Sequence, residues 1–484
     1  MVRRGHIKID KPLSLKGGIA VGDTTDMAAS TYHNPIDGDP MVIIHQAAIK
    51  ILSTSGIILR HKLWRDEILE AGGSHLANGR IGLDEKIILR ALSTAKKIIP
   101  RPAQDKKFAF SHDTKKIFFA ISSQASHIYD ADLEKTSHRP IDLPDVIALT
   151  KLAHILPLYD MVGFFAKPDL LAKESGSVLK AYQAMIKNLY DHNGKVFSIN
   201  LYNHHLLPEL TKTFPNLTKL ASLSLQSFLP NLSLDSDIAD SFFYAVKQNM
   251  VIDNIALTIA GATAPATIAG SITLNLAMNL ASLTLAQIIS PGIGFSFGFM
   301  PYASDLKQGT ITTGSAETIL LQQLAIKVAR FYQIPSIVSS SQTSSKLPDI
   351  QAGVEKSLGL LALTKTAMAE KCGVVISQTA GLLGDLQIIS QQNFITDHDM
   401  LAMVKRMMHP DPINPDTMQT DVIHRVLEKG SHFFAEPETR QVMKSHYLYP
   451  MAQDRLSLSS WLAAGKMTAD KLAGLAIKQI YKKP

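Results

Sequence analysis

The sequence predicts an α/β protein built as a (β/α)8 TIM barrel, with a helical extension before the barrel and a helical tail after it. Three observations predict it. Apolar, β-branched runs recur roughly every 25–40 residues, with helical patterns between most of them. These runs are continuous rather than alternating, as strands buried on both faces read. And the stretch 254–304 holds 51 residues without one Lys, Arg, Asp, Glu or His, in a chain with 19% charged side chains.

Taken in order, the first 110 residues read as a helical extension. The segments 40–56, 63–73 and 84–98 have helical apolar spacing, and the first two end in Gly. The barrel core is expected over 111–392. Its strand candidates are MVGFFA (161–166), VFSIN (196–200), LASLSLQ (220–226), IALTIAG (255–261), GFSFGFM (294–300), PSIVSS (335–340) and GVVISQ (373–378). The eighth is KIFFAIS (116–122) or the short SHFFA (431–435). Helices are expected at 171–190, 236–248, 266–288, 315–332 and 351–371; the link 201–219 has no clear pattern. The remainder, 393–484, reads as a helical tail packed on the barrel, interrupted by the rigid turn Pro410-Asp411-Pro412-Ile413-Asn414-Pro415.

The uncharged stretch is long enough for a membrane span. Its content argues against one: Asn275, Asn279, Gln287, Pro265 and Pro291 lie within it. It divides into strand, helix and strand, the βαβ unit of an interior core. A doubly wound open sheet competes with the barrel. A Gly-rich phosphate loop would favour the open sheet, and GIGFSFG lies inside a strand without the G-x-G-x-x-G spacing.

Bulk properties narrow the function. The +7 charge is dispersed, and no arginine-rich tract interleaves with aromatics, which argues against nucleic acid. The single cysteine, Cys372, excludes an intrachain disulfide and a cysteine-based zinc site. No His-Glu-x-x-His, nucleophile elbow or other metal-spaced cluster occurs, so no metal site is expected. The N-terminus has basic residues but no apolar signal segment, so the expected compartment is the cytoplasm, with no membrane partner. Nothing in the sequence fixes the oligomeric state; a homo-oligomer is one option.

Barrel chemistry gathers on loops after the strands' C-terminal ends. Tyr302, Phe299 and Tyr202 follow or close such strands and could bound a pocket for a cation, or could fill the core. Glu317 and Asp349 stand at helix starts after short loops. Each could cap its helix, or face a common mouth near Tyr302 as the acidic pair of a site. Gln342, Lys346 and Gln351 could supply donors to a substrate carboxylate, and Thr263 lies on the loop after IALTIAG.

Several of these loops, read together, resemble the trimethylamine:corrinoid protein methyltransferases and their relatives that demethylate quaternary amines such as glycine betaine. The pieces that carry the resemblance are AGATAPATIAGS (260–271), GSAE (314–317), ARFYQIP (329–335), KLPDIQAGVEK (346–356), AGLLGD (380–385) and GSHFFAEPET (430–439). Upstream, 129–157 resembles the family's run into the barrel, and the likeness extends from about Ile44 to the C-terminus. It implies a TIM barrel that moves a methyl group from a methylated amine to the Co(I) corrinoid of a partner protein. The chain would bind no corrinoid itself, and it has no Asp-x-His-x-x-Gly ligand motif. Trimethylamine-specific members carry pyrrolysine near the position of SSSQTSSK (339–346); this chain has only ordinary residues there. The departure points to a quaternary amine as substrate, or to a barrel that has lost catalysis and binds an amine or a partner protein.

Overall fold

The computed structural model describes residues 38–122, 124–130, 137–201 and 204–482. Eight parallel strands close into a barrel. They are β1 (Ile117–Ile121), β2 (Met161–Val162), β3 (Val196–Asn200), β4 (Ala221–Leu225), β5 (Ile252–Asn254), β6 (Phe295–Asp305), β7 (Ser336–Ser340) and β8 (Val374–Gln378). Each pairs with the next in order, and β8 closes onto β1 with Val374 opposite Ile117. The eighth strand is therefore the first in the chain; SHFFA contributes a short 3-10 turn, Phe433–Ala435, instead.

The helices alternate with the strands: α1 (Leu143–Ile155), α2 (Val178–His192), α3 (Leu207–Thr213), α4 (Ser236–Lys247), α5 (Ile268–Ile289), α6 (Ala316–Tyr332), α7 (Ile350–Ala369) and α8 (Gln391–Met408). The indistinct link 201–219 supplies α3 and a further single turn, Leu217–Leu220. Each helix runs back against its strand, so every helix N-terminus lies at the barrel's C-terminal mouth.

The period-two rule sorts β6. Phe295, Phe297 and Phe299 join the core shared with the helices, where Phe297 meets Tyr332 of α6 edge-on at 5.8 Å. Ser296 and Met300 face the barrel interior.

The fifth strand departs from the predicted limits. The barrel pairing uses Ile252–Asn254, and IALTIAG begins one residue later; its segment Ala256–Ala260 follows the upper half of β6. The ladder breaks between these segments because the Asn254 carbonyl closes on Gly298, where any Cβ would collide with it. Asn279 of α5 spans the break. Its Oδ1 accepts from the Gly298 N–H (3.0 Å) and from Asn254 Nδ2 (3.0 Å), and its Nδ2 donates to the Gly298 carbonyl (3.3 Å).

This accounts for amides in an uncharged helix. Asn275 donates to the Ala256 carbonyl at 2.7 Å, and Gln287 to that of Ile293 at 3.2 Å. A buried amide is tolerated when such partners replace water. Among the described residues, α5 is the one helix long and apolar enough to cross a membrane, and 83% of its most apolar window is buried inside the molecule. It is an interior helix, wrapped by the barrel and by the N-terminal helices Pro40–Lys50 and Glu85–Thr94.

A hairpin, Ile99–Arg101 with Phe110–His112, plugs the opposite end. Arg101 reaches inside and pairs with Asp253 of β5 at 2.6 Å, both side chains 2% exposed. It also donates to Ser296 Oγ (2.7 Å), while Ser222 Oγ donates to Asp253. Burial alone would raise the Asp253 carboxyl; the guanidinium and the donated hydrogen bonds outweigh it and hold the group below the usual range. Burial, reinforced by Arg101, holds His112 at a pKa of about 3 and therefore neutral.

Candidate active site at the barrel mouth

Above the Arg101–Asp253 pair lies a cavity of about 70 Å3. Its wall follows from the inward positions of successive strand ends: Ser122, Gly163, Ser198, Asn200, Ser224, Met300, Ser339 and Ser377. Small side chains leave the space, and Gly163 keeps it open because a Cβ there would press on Ser122. These hydroxyl and amide groups share the surface with apolar Ala120, Met161, Phe299, Met300 and Ile337. Asn200 Oδ1 is buried and accepts no hydrogen bond from any described residue. An unpaired buried acceptor is costly unless something bound supplies the partner. The one carboxylate in the wall, Asp253, is saturated by Arg101, so the cavity has no uncompensated charge.

Three loops are laced together across the mouth by two carboxylates. Glu355 Oε2 accepts from Thr343 Oγ1 (2.6 Å) and the Ser344 N–H (2.9 Å). Asp385 Oδ1 accepts from Ser344 Oγ (2.7 Å), Thr313 Oγ1 (2.9 Å) and the Thr313 N–H (3.1 Å). The loops after β6, β7 and β8 are thereby fixed to one another. Gly314 of GSAE is glycine because any Cβ would overlap the Glu355 carboxylate. Below the clamp, Lys356 of α7 pairs with Asp397 of α8 at 2.5 Å, both fully buried, and Asp397 also accepts from the Gly381 N–H at 2.7 Å. Burial raises the Asp397 carboxyl and lowers the Lys356 ammonium, each partly offset by the other.

The structure brings two of the sequence candidates together directly. Gln342 Nε2 donates to the Tyr302 hydroxyl at 2.9 Å, with both residues buried; burial raises the Tyr302 pKa. Gln351 joins the clamp through Glu355 Oε1 at 2.8 Å. Glu317 lies exposed in the first turn of α6, after the N-cap Ser315. Asp349 is the N-cap of α7, accepting from the Ala352 N–H at 3.0 Å. Partial burial opposes ionisation there, but the donated backbone hydrogen bonds prevail and keep the carboxyl low. Both acids stand at the mouth end, on the outside of the rim. Lys346 is exposed and donates to the Ser344 carbonyl at 2.7 Å, and Thr263 is exposed on its own turn, accepting from the Ile259 N–H. Phe299 packs edge-on against Phe297 and is also among the residues lining the cavity. Tyr202 lies outside the described residues.

Sequence reasoning missed the serine and asparagine lining, Glu355, Asp385 and the Lys356–Asp397 pair. A signal existed for the clamp: Glu355 and Asp385 end the motifs KLPDIQAGVEK and AGLLGD within a residue.

The chain matches the trimethylamine methyltransferase (MTTB) family over residues 24–172 and 223–484. It belongs to that family. Among MTTB-family relatives it is 30% identical to a glycine betaine methyltransferase of Desulfitobacterium hafniense over 239 residues, covering 49% of each protein. It is 28% identical to trimethylamine methyltransferase MttB2 of Methanosarcina mazei, over 52% of this chain and 49% of that one. An L-carnitine:corrinoid methyltransferase of Eubacterium limosum is 23% identical over 76% of both chains. The chain thus spans about half the length of the first two relatives and three quarters of the third. Both a trimethylamine enzyme and two quaternary-amine enzymes stand at similar distance, so the MTTB-family fold by itself leaves the amine open.

Proposed function

We propose that this MTTB-family barrel takes a methyl group from a quaternary amine at its mouth cavity and passes it to a corrinoid presented by a partner protein. The observation that carries the reading is the cavity itself: a small chamber at the strand C-terminal ends, with hydroxyl and amide oxygens set among apolar side chains, in a member of this family. A trimethylammonium head is a cation of a few heavy atoms whose polarised methyl C–H groups suit hydroxyl and amide oxygens. Each such contact is worth about 0.5–1 kcal/mol. Asn200 Oδ1 is the acceptor with no protein donor among the described residues. Recognition here combines these oxygens with the apolar part of the lining, which includes Phe299.

In the transfer, the C–N bond breaks with its electron pair staying on nitrogen. The amine departs neutral and needs no proton donor. A partner-held corrinoid in the Co(I) state would supply the electron pair for the new methyl bond. A cavity of about 70 Å3 cannot enclose a corrin ring, so the cofactor would meet the mouth from outside, held by the partner. The barrel residues hold the head group in line and exclude water. A partner that keeps its corrinoid as Co(I) suits a reducing compartment, which supports the cytoplasm.

The narrowness of the cavity also favours a second reading. Pockets that enclose a whole small ligand commonly span ~300–1,000 Å3, and this one is far smaller. A barrel that binds an amine or a partner without turnover is the alternative. Calorimetry with glycine betaine, carnitine, choline and trimethylamine tests the substrate class. The expected result is binding of at least one quaternary amine, weakened about tenfold in Asn200→Leu. Binding of trimethylamine alone would reverse the assignment; binding of none would favour the second reading.

A further inference from the structure

Asn200 closes β3 on the inward parity of Ser198, opposite Ser224 of β4, and all three line the cavity. The residue is 8% exposed, and its Oδ1 is buried without a hydrogen-bond partner among the described residues. Its neighbour in the wall differs. Asn254 accepts from Ser227 Oγ at 2.6 Å and donates to Asn279 Oδ1 at 3.0 Å, so that amide is committed to the fold. A buried acceptor left unpaired is costly, and the cost is relieved by a ligand that brings a donor. A trimethylammonium head brings only weak C–H donors. A hydroxyl donates in full to Oδ1 and, being also an acceptor, suits the Nδ2 group beside it.

The charges in the wall select the rest of the ligand. No Lys, Arg or His lines the cavity. The Arg101 guanidinium beneath it is committed to Asp253 and Ser296, and Asp253 itself belongs to the wall. A ligand carboxylate at this depth would find serine hydroxyls but no cation. It would also face Asp253 and leave Asn200 Oδ1 unpaired. An uncharged tail meets none of these penalties, while Met161, Phe299 and Ile337 offer apolar surface to the methyl groups.

We infer, resting on the reading that this cavity receives a quaternary amine, that the substrate is a quaternary amino alcohol of the choline type. It carries a trimethylammonium head, a short uncharged tail and a hydroxyl that pairs with Asn200. Asn200 is then the residue that sets specificity between a hydroxylated and a carboxylated tail. The methyl transfer balances as before. One C–N bond breaks, its electron pair stays on nitrogen, and the methyl joins the Co(I) corrinoid of the partner. The product is a neutral dimethylamino alcohol, and the hydroxyl keeps its proton throughout.

The test is calorimetry on the full chain with choline, glycine betaine and trimethylpropylammonium, which puts a methyl where choline has its hydroxyl. Choline should bind about tenfold tighter than either of the others, the factor expected of one buried hydrogen bond. The gap between choline and trimethylpropylammonium should close in Asn200→Leu. Asn200→Ser, which brings in a side chain already common in the wall, should narrow it too and serves if the leucine variant does not fold. The comparison in the unaltered protein needs no variant at all. Equal binding of choline and trimethylpropylammonium, tighter binding of glycine betaine, or a preference for choline that survives both substitutions would overturn the inference while leaving a quaternary-amine site in place. Binding of none of the three would overturn that site and the inference with it.

Discussion

Replacing Lys356 by Met tests how the loops above β8 are held. Lys356 and Asp397 are both fully buried, and Asp397 also anchors the Gly381 N–H. Removing the cation leaves a buried carboxylate with backbone and amide donors but no counter-charge. Breaking such a pair from one side costs about 3–5 kcal/mol. The pH dependence has a definite sign. Asp397 already has a raised carboxyl, and loss of Lys356 raises it further. The folded variant then binds a proton that the unfolded chain gives up near pH 4, so its stability falls as pH rises through the folded pKa. The deficit against the unaltered protein should therefore be largest at pH 8 and shrink toward pH 5. Replacing both partners, Lys356→Met with Asp397→Leu, should recover most of the loss, leaving about 1–3 kcal/mol for the unpaired Gly381 N–H. Urea titration at the two pH values measures this. A deficit under about 1 kcal/mol at pH 8, or one that grows on acidification, would refute the reasoning.

Other expectations follow from the same geometry. Asn279→Leu strips both hydrogen-bonding groups from Gly298 at the break in the ladder and should cost about 1–3 kcal/mol, read as a lowered melting temperature; an unchanged melt would mean the break is held some other way. Gly314→Ala should displace Glu355 and free the 341–346 loop, seen as faster amide exchange there with the global melt nearly kept; unchanged exchange would deny the clamp. Tyr302→Phe leaves the buried Gln342 amide short of an acceptor and should destabilise the protein by about 1 kcal/mol or more. Purification without detergent should succeed, given the interior position of α5; partition of the protein into membranes would contradict it.

The barrel was legible because strands buried on both faces write continuous apolar runs, and most of β1–β8 did. The exception shows the limit. β5 reads Ile-Asp-Asn, and its charge is compensated by Arg101, about 150 residues earlier in the chain; no local pattern can announce such a partner. The site was less legible for a related reason. The polar part of its wall is made of five serines and two asparagines spread over six strand ends, each unremarkable in its own segment. Of the aromatics that stand out in the sequence, Phe299 packs on Phe297 while also lining the cavity. Motif endings did point to the clamp, since Glu355 and Asp385 each accept hydrogen bonds from loops outside their own segment.

The measurement closest to the central claim is methyl transfer itself. The purified chain would be mixed with a corrinoid protein held as Co(I) and with glycine betaine, carnitine, choline or trimethylamine, following the cobalt spectrum and the demethylated amine. The expected result is stoichiometric demethylation of at least one quaternary amine and none of trimethylamine, with the rate falling in Asn200→Leu. Transfer from trimethylamine but from no quaternary amine would contradict the account, and silence with all four would assign the barrel to binding rather than catalysis.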